Sequence, residues 1–308
     1  MFQLIQNERM KLWAKKGTWV MVALLVLAII GYGMLSNSIA SDPSSWKSDE
    51  QSNIAINKEM INDEGVDAVT KKELANQIAI SEYRLANNVA PLNPSSIQGH
   101  MQTAPYFMMF VLLFVVIIAG GIVSTEFTKG TIKMLLTRPV SRAKILASKL
   151  FTVIEFAVLL SIITLALNYV VAMLFFGNAS GANLIIENGV ISTVNIWKEI
   201  FMSFSFQFIA VLMSMIFAFM LGVVFRSSSL AIGLSIFIAL LSTTITMFLV
   251  KYDFIKFIWF AVQDLEGIYH GQGILDVTLP FALTIQVIYA FIFLAIAFIT
   301  FIKSDITA

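Results

Sequence analysis

Six long apolar blocks constrain this chain more than any other feature of its sequence. They cover residues 18–40, 105–123, 151–176, 201–225, 230–250 and 279–302. An α-helix rises about 1.5 Å per residue, so about 20 residues cross a hydrocarbon core about 30 Å thick. The six blocks contain no lysine or arginine, and Glu155 is their one acidic side chain. Because a charge at mid-membrane costs about 2.5–3.5 kcal/mol on insertion scales, this segregation predicts six transmembrane helices.

The composition agrees with an all-α polytopic membrane protein. Hydrophobic residues make up 58% of the chain and charged residues 13%, against roughly 45–50% and about 25% in soluble domains. The formal net charge of +1 gives no sign of a nucleic-acid partner. The absence of cysteine excludes disulfides, thiolate metal sites and cysteine nucleophiles.

The first block has two interpretations. Lys15 and Lys16 precede it, and small residues around Ala40 resemble a cleavage site, which would suit a signal peptide. The block is long, however, and the preceding residues have helical character of their own. We therefore expect an anchored first span at 18–40.

Basic residues are distributed unequally between the two sides of the predicted bundle. One side carries twelve lysines and arginines, and the short loops of the other side carry three. The twelve are Arg9, Lys11, Lys15, Lys16, Lys129, Lys133, Arg138, Arg142, Lys144, Lys149, Arg226 and Lys303. Positive charge accumulates on the cytoplasmic side of membrane proteins, so both termini are predicted to lie in the cytoplasm beneath the cell membrane.

Three segments outside the spans have predicted structure. Residues 1–17 favour a helix in the cytoplasmic interface, with a solvated basic tail as the alternative. Residues 41–102 form a long extracellular loop with two helix signals, predicting a helical hairpin. Residues 251–278 are too short to span but very apolar, which indicates a re-entrant pair of half-helices or a simple interfacial helix. Spans two to six with their loops occupy 103–308.

The cytoplasmic loop 124–149, between spans two and three, carries the most specific pattern. Glu126 is expected in the first turn of a short helix, where a negative charge suits the helix dipole. Pro139 would stop that helix, and Ser141 could cap the start of span three. The plain alternative is a solvated basic loop. A capped helix, a proline stop and a second cap in so short a stretch favour a folded segment.

This loop resembles the cytoplasmic loop of the ABC-2 type permeases, the membrane subunits of ATP-binding-cassette exporters. The motif-like part of the resemblance is Glu126, Gly130-Thr131, Leu135-Leu136, Arg138-Pro139-Val140-Ser141-Arg142, Lys144 and Lys149. The resemblance extends to the layout of nearly the full chain, with an interfacial N-terminal helix, six spans, a large first outer loop and a re-entrant element before span six. It implies a coupling helix that docks on an ATPase subunit through Glu126, Phe127, Gly130, Thr131, Leu135 and Arg138. It also implies two permease chains, alike or different, bound to two ATPase chains.

The ATP chemistry would belong to the partner. No Gly-x-x-x-x-Gly-Lys-Ser/Thr sequence occurs in this chain, so we expect it to be no enzyme and to bind no cofactor, with Mg-ATP on the separate subunit. His100 and His270 are the only histidines, and no His-Glu-x-x-His motif is present. Neither a metal site nor a catalytic residue is predicted.

Three polar side chains fall inside the apolar blocks. Glu155 would be either an ion or substrate site, or a hydrogen-bonded glutamate at a helix interface. Asn168 and Gln207 are expected to bond across helices, each contributing about 0.6 kcal/mol.

The sequence therefore predicts a permease subunit of an ATP-driven exporter. A membrane-embedded sensor or scaffold that transports nothing remains an alternative, with the outer hairpin as its binding surface. A secondary transporter ranks third, because no clear internal repeat is present and Glu155 is the one charged residue within the spans. The residues do not identify a substrate.

Overall fold

The structure is a computed structural model that describes residues 1–38, 45–63, 66, 68–131, 140–178, 181–187 and 190–303. Its helices in chain order are α1 Phe2–Trp13, α2 Lys16–Ser38, α3 Trp46–Ile61, α4 Ala68–Asn87, α5 Ile97–Met101, α6 Met108–Thr128, α7 Arg142–Phe175, α8 Ile196–Phe225, α9 Ser228–Leu249, α10 Leu265–Tyr269 and α11 Leu279–Lys303. Two short 3₁₀ helices, Ala104–Phe107 and Asp253–Phe257, and two strands, β1 Leu184–Glu187 and β2 Val190–Thr193, complete the described elements.

The six predicted spans are confirmed. Among the described residues, six stretches are long and apolar enough to cross a membrane. They are α2, the stretch Ile97–Thr128 that includes α6, and helices α7, α8, α9 and α11. Two of them extend well past the apolar blocks, since α7 begins at Arg142 and α8 at Ile196. The residues between Arg142 and the apolar block are good helix formers, so α7 begins in the polar stretch that precedes its block.

The described residues form two compact units. The first comprises Met1–Val26, Tyr106–Thr164 and the chain from Phe204 onward, and the second comprises Leu27–Pro105 and Leu165–Ser203.

The second unit contains the predicted hairpin of α3 and α4. Lys58 and Glu82 pair across it at 2.8 Å. Buried Arg84 lies 3.5 Å from Glu50 and donates a hydrogen bond to the backbone oxygen of Ala182. The helices begin earlier than the sequence signals suggested, at Trp46 and Ala68. Ser48 and Thr70, the first residues of the two capping-box sequences from which the hairpin was predicted, therefore lie within the helices and not at their starts.

A small antiparallel sheet in the second unit was not predicted. Strands β1 and β2 pair in register from Leu184 with Thr193 to Glu187 with Val190. The sequence contained a signal for it, because two runs of β-branched residues flank the dipeptide Asn188-Gly189. That dipeptide is a strong hairpin indicator.

The segment before the last span belongs to the first unit and folds as two short helical pieces, as its glycines and apolar run suggested. Its buried residues Ile255, Val262 and Leu265 pack in one cluster with Ile285 of α11. The side-chain amide of Gln286 donates hydrogen bonds to the backbone oxygens of Trp259 at 2.9 Å and Val262 at 3.2 Å. Irregular backbone away from water needs such partners, and a side chain of the last span supplies them here.

Helices α6 and α8 approach each other closely in the first unit. A Cβ atom added to Gly222 would lie 2.6 Å from the backbone oxygen of Gly120, so Gly222 needs to be glycine for this packing. A Cβ atom added to Gly120 would instead meet Ile232 of α9 at 3.0 Å. Gly121 faces open space.

Candidate functional site at the end of α6

Helix α6 continues past its apolar block and ends at Thr128, with Lys129 as its C-cap residue. Gly130 follows with a φ of +69°, a left-handed conformation that favours glycine after a helix. Glu126 is therefore in the last turn of α6 and not in the first turn of a new helix. The prediction that the helix dipole stabilises Glu126 is wrong, because the C-terminal end of a helix disfavours an anion.

Two lysines offset that unfavourable position of Glu126. Lys149 Nζ lies 3.2 Å from Glu126 Oε1, and Lys11 Nζ lies 3.4 Å from the same oxygen. The hydroxyl of Thr131 donates a hydrogen bond to the other carboxylate oxygen. Glu126 is thus held by one residue of α7, one residue of α1 and one residue just beyond its own helix.

Glu8 of α1 completes what we call the polar cluster, which consists of Glu8, Lys11, Glu126 and Lys149. Lys149 Nζ lies 2.6 Å from Glu8 Oε2, and Lys11 Nζ lies 3.1 Å from Glu8 Oε1. The exposed fractions of the side chains are 1% for Lys149, 8% for Glu8, 15% for Glu126 and 52% for Lys11. Two positive and two negative charges balance, as burial of ionised groups requires.

Lys11 and Lys15 line one cleft beside this cluster, and their pKa values shift in opposite directions. Partial burial lowers the pKa of Lys11, but the carboxylates of Glu8 and Glu126 outweigh it, and the pKa is raised. Burial and the positive charges of Lys149 and Lys129 lower the pKa of Lys15. The cleft has a volume of about 500 Å³ and is also lined by Thr125 and Thr131.

Phe127 makes contacts on another set of elements. The guanidinium of Arg226 lies over its ring at 4.9 Å from the centroid, and the ring of Phe301 meets it edge-on at 6.4 Å. Arg226 follows α8 directly and has a φ of +53°, and Phe301 belongs to α11. Two adjacent residues of α6, Glu126 and Phe127, therefore connect it to α1, α7, the α8–α9 turn and α11.

The structure describes only some of the other residues that the resemblance assigned to ATPase coupling. Gly130 and Thr131 lie at the end of α6, next to the polar cluster. Leu135 and Arg138 lie outside the described residues, together with the rest of the expected short helix.

Glu155 forms an ion pair rather than standing alone in its span. Arg9 Nη1 of α1 lies 3.1 Å from its Oε1, with both side chains partly exposed. Sequence reasoning missed Glu8, although a signal was present, because it is the one acidic residue among the basic residues of 1–17.

Asn168 is buried in α7 within the second unit. Gln207 of α8 lines a different feature of the first unit, which we call the bundle cavity. This cavity has a volume of about 350 Å³ and lies between α6, α8, α9 and the segment before α11. In the described part of the chain, no group of three or more histidine or carboxylate side chains could hold a metal ion.

Fold and site together define an all-α polytopic membrane protein with a charge-balanced cluster at one end of its helices. The chain belongs to the family described as "Protein of unknown function (DUF2705)", whose sequence profile matches residues 73–307. It is 35% identical to the "Uncharacterized protein YhcI" of Bacillus subtilis (strain 168), over 99% of each chain. It is 28% identical to the "Uncharacterized membrane protein YdbK" of the same organism, over 68% of this chain and 82% of that one.

This membership corrects the resemblance to the ABC-2 type permeases. The profile that matches most of the chain is that of a different family, and neither relative carries a permease description. Lysine and arginine accumulate in the cytoplasmic loops of membrane proteins in general, so a basic loop is weak evidence for one family.

Proposed function

We propose that this protein is the membrane-spanning subunit of an ATP-driven export system whose ATP-hydrolysing subunit is a separate chain. The proposal places the docking site of that partner at the end of α6, around the polar cluster and Phe127. The sequence supports a separate partner, because the chain has no phosphate-binding loop of its own. The excess of lysine and arginine on this side favours a cytoplasmic location, where ATP is available.

One observation carries the proposal: Glu126 and Phe127 contact different helices although they are adjacent in the chain. Glu126 is bound to α1 and α7 through Lys11 and Lys149. Phe127 is bound to the α8–α9 turn and α11 through Arg226 and Phe301. A displacement of this one turn of helix would alter contacts in four other elements. A partner that pushes or pulls here would act on most of the bundle.

Helix α6 also connects this end to the bundle cavity. Leu113 lines the cavity, and Glu126 lies thirteen residues later on the same helix, about 20 Å away at 1.5 Å per residue. Nucleotide binding by the partner would shift the cavity between two states only if it stabilised the two arrangements of α6 unequally. The mechanism therefore requires a partner whose contacts with α6 differ between its ATP-bound and ATP-free states.

Affinity purification of the tagged full-length protein from its native membranes tests the proposal. The expected result is a stoichiometric companion that contains a phosphate-binding loop and hydrolyses ATP, and ATP-dependent uptake of substrate by inverted vesicles. A stable companion without any nucleotide-binding sequence would contradict the proposal and favour the sensor or scaffold alternative. Purification of the chain by itself from active membranes would also contradict it.

A further inference from the structure

The bundle cavity is lined mainly by apolar side chains, and its polar side chains come from α8, α9 and the segment before α11. Met108, Met109, Leu112 and Leu113 of α6 line the apolar side. Methionine side chains are flexible and polarisable, and they adapt to ligands of different shape. Cavities of a few hundred Å³ with this mixture are typical of sites for small organic ligands.

The polar part of the lining contains hydrogen-bonding groups that bind no other described residue. Gln207 of α8 and Thr243 of α9 both line the cavity. Among the described residues, neither side chain makes a hydrogen bond, whereas Thr246, one turn further on, donates to the backbone oxygen of Ser242 at 2.7 Å. Polar side chains within membrane spans usually face the bundle interior or a water-filled path, because lipid cannot satisfy them. Gln207 and Thr243 are therefore available to a bound molecule.

Asp264 is the one ionisable residue among the described residues that line the cavity. Its Oδ1 accepts a hydrogen bond from the backbone N–H of Gly267 at 3.0 Å, at the start of α10. Its Oδ2 makes no hydrogen bond within the described part of the chain. Asp264 is exposed, and no lysine, arginine or histidine is among the described lining residues, so no basic side chain of the lining offsets its negative charge.

We propose that the bundle cavity binds amphipathic molecules that combine an apolar body with a cationic group. The apolar body would lie against the α6 wall, Gln207 and Thr243 would bind its polar atoms, and Asp264 would attract the cation. That the cavity is the site of the transported substrate rests on the proposed function. The binding itself needs no partner chain.

Binding of the hydrophobic cation tetraphenylphosphonium to the purified protein in nanodiscs of zwitterionic lipid tests the inference. Empty nanodiscs correct for partitioning into lipid. Tetraphenylborate has nearly the same shape and the opposite charge, so it is the matched probe. We expect wild-type protein to bind the cation saturably and at least about tenfold more tightly than the anion, since the carboxylate of Asp264 attracts the one probe and repels the other.

Three variants locate the site. Asp264→Asn keeps an oxygen for the Gly267 N–H and removes the charge, so it should weaken cation binding about tenfold. Asp253→Asn removes a fully exposed carboxylate of the same segment outside the cavity, and it should leave binding unchanged. Leu112→Trp should fill the cavity and abolish binding.

Equal binding of the two probes by wild-type protein would overturn the inference without any variant. Cation binding that survives Leu112→Trp, or equal loss in both aspartate variants, would also overturn it. The measurement is made on this chain alone. A missing ATPase would refute the proposed function and leave cation binding intact, whereas a failure to bind the cation would leave any ATPase partnership standing.

Discussion

The ammonium of Lys149 lies 2.6 Å from a carboxylate oxygen of Glu8, although 141 positions separate the two residues in the chain. Lys149 is inside α7 and nearly inaccessible, so this contact joins α1 to the bundle through a buried charge. The same ammonium lies 3.2 Å from Glu126. Helix α1 is therefore held by a specific ion pair and does not merely rest on a surface.

Replacing Lys149 tests this attachment. Lys149→Met should lower the free energy of unfolding by about 3–5 kcal/mol, because it leaves Glu8 and Glu126 buried without their main cation. Lys11→Met is the matched control: Lys11 touches the same two carboxylates but is half exposed, so its loss should cost about 1 kcal/mol or less. Thermal unfolding of the detergent-purified variants measures the difference. Equal costs for the two substitutions would refute the central role of Lys149.

Gly130 is expected to be required for its backbone conformation rather than for space. An added Cβ would touch nothing within 4 Å, but the φ of +69° is strained for alanine. Gly130→Ala should therefore destabilise the end of α6 by about 1–2 kcal/mol. Gly121→Ala, also in open space but within the helix, should be neutral or stabilising by up to about 1 kcal/mol. Unfolding curves in which both variants shift alike would exclude the conformational explanation.

Phe127 should matter for coupling more than for stability. Phe127→Leu keeps a hydrophobic side chain but removes the ring that meets Arg226 and Phe301. We expect it to reduce ATP-dependent transport about tenfold or more, while the melting temperature changes by only a few degrees. Phe110→Leu, which removes a ring from α6 on its exposed apolar surface, serves as the control. Normal transport by the Phe127 variant would remove this residue from the coupling path.

Lys11 and Lys15 should react differently with amine reagents as the pH rises. The raised pKa of Lys11 keeps its ammonium charged to higher pH, and the lowered pKa of Lys15 frees its amine earlier. Mass spectrometry of acylated protein between pH 8 and 11 should show Lys15 modified at lower pH than Lys11. Identical midpoints, or the reverse order, would contradict the arrangement of charges in the cleft.

The stability effect of Lys11 has a definite sign. Its folded-state pKa is raised, so its contribution is complete below the unfolded pKa of about 10.4 and is lost as the pH rises through the folded value. The difference in stability between wild type and Lys11→Met should therefore persist at neutral pH and disappear in strong alkali.

The membrane-spanning architecture could be predicted from the sequence because it depends on a local property, the length of uncharged apolar blocks. The polar cluster could not, because it depends on which helix ends meet. Glu8, Glu126 and Lys149 occupy three separate segments, and no spacing rule relates them. Glu126 was placed in a new helix because the apolar block ends at residue 123, whereas α6 continues for one more turn through Thr128.

The pairing of β1 with β2 was not predicted from the sequence, for a different reason. The two strands, Leu184–Glu187 and Val190–Thr193, lie between two strongly apolar blocks, and the prediction of this region followed those blocks. The turn signal between the strands was nevertheless present in the local sequence. The resemblance to a transporter family failed for a further reason. Only one loop of it was motif-like, and a short motif with a shared layout has less weight than a profile that covers residues 73–307.

Cross-linking from the end of α6 shows whether an ATP-hydrolysing partner docks there. Because the chain contains no cysteine, Lys129→Cys creates a unique attachment point for a photoactivatable cross-linker, and Tyr106→Cys creates a matched exposed point before the start of α6, about 30 Å away. In native membranes, the account predicts that position 129 cross-links to a protein with a phosphate-binding loop and that position 106 does not. Capture of no such protein from position 129, or equal capture from both positions, would contradict it.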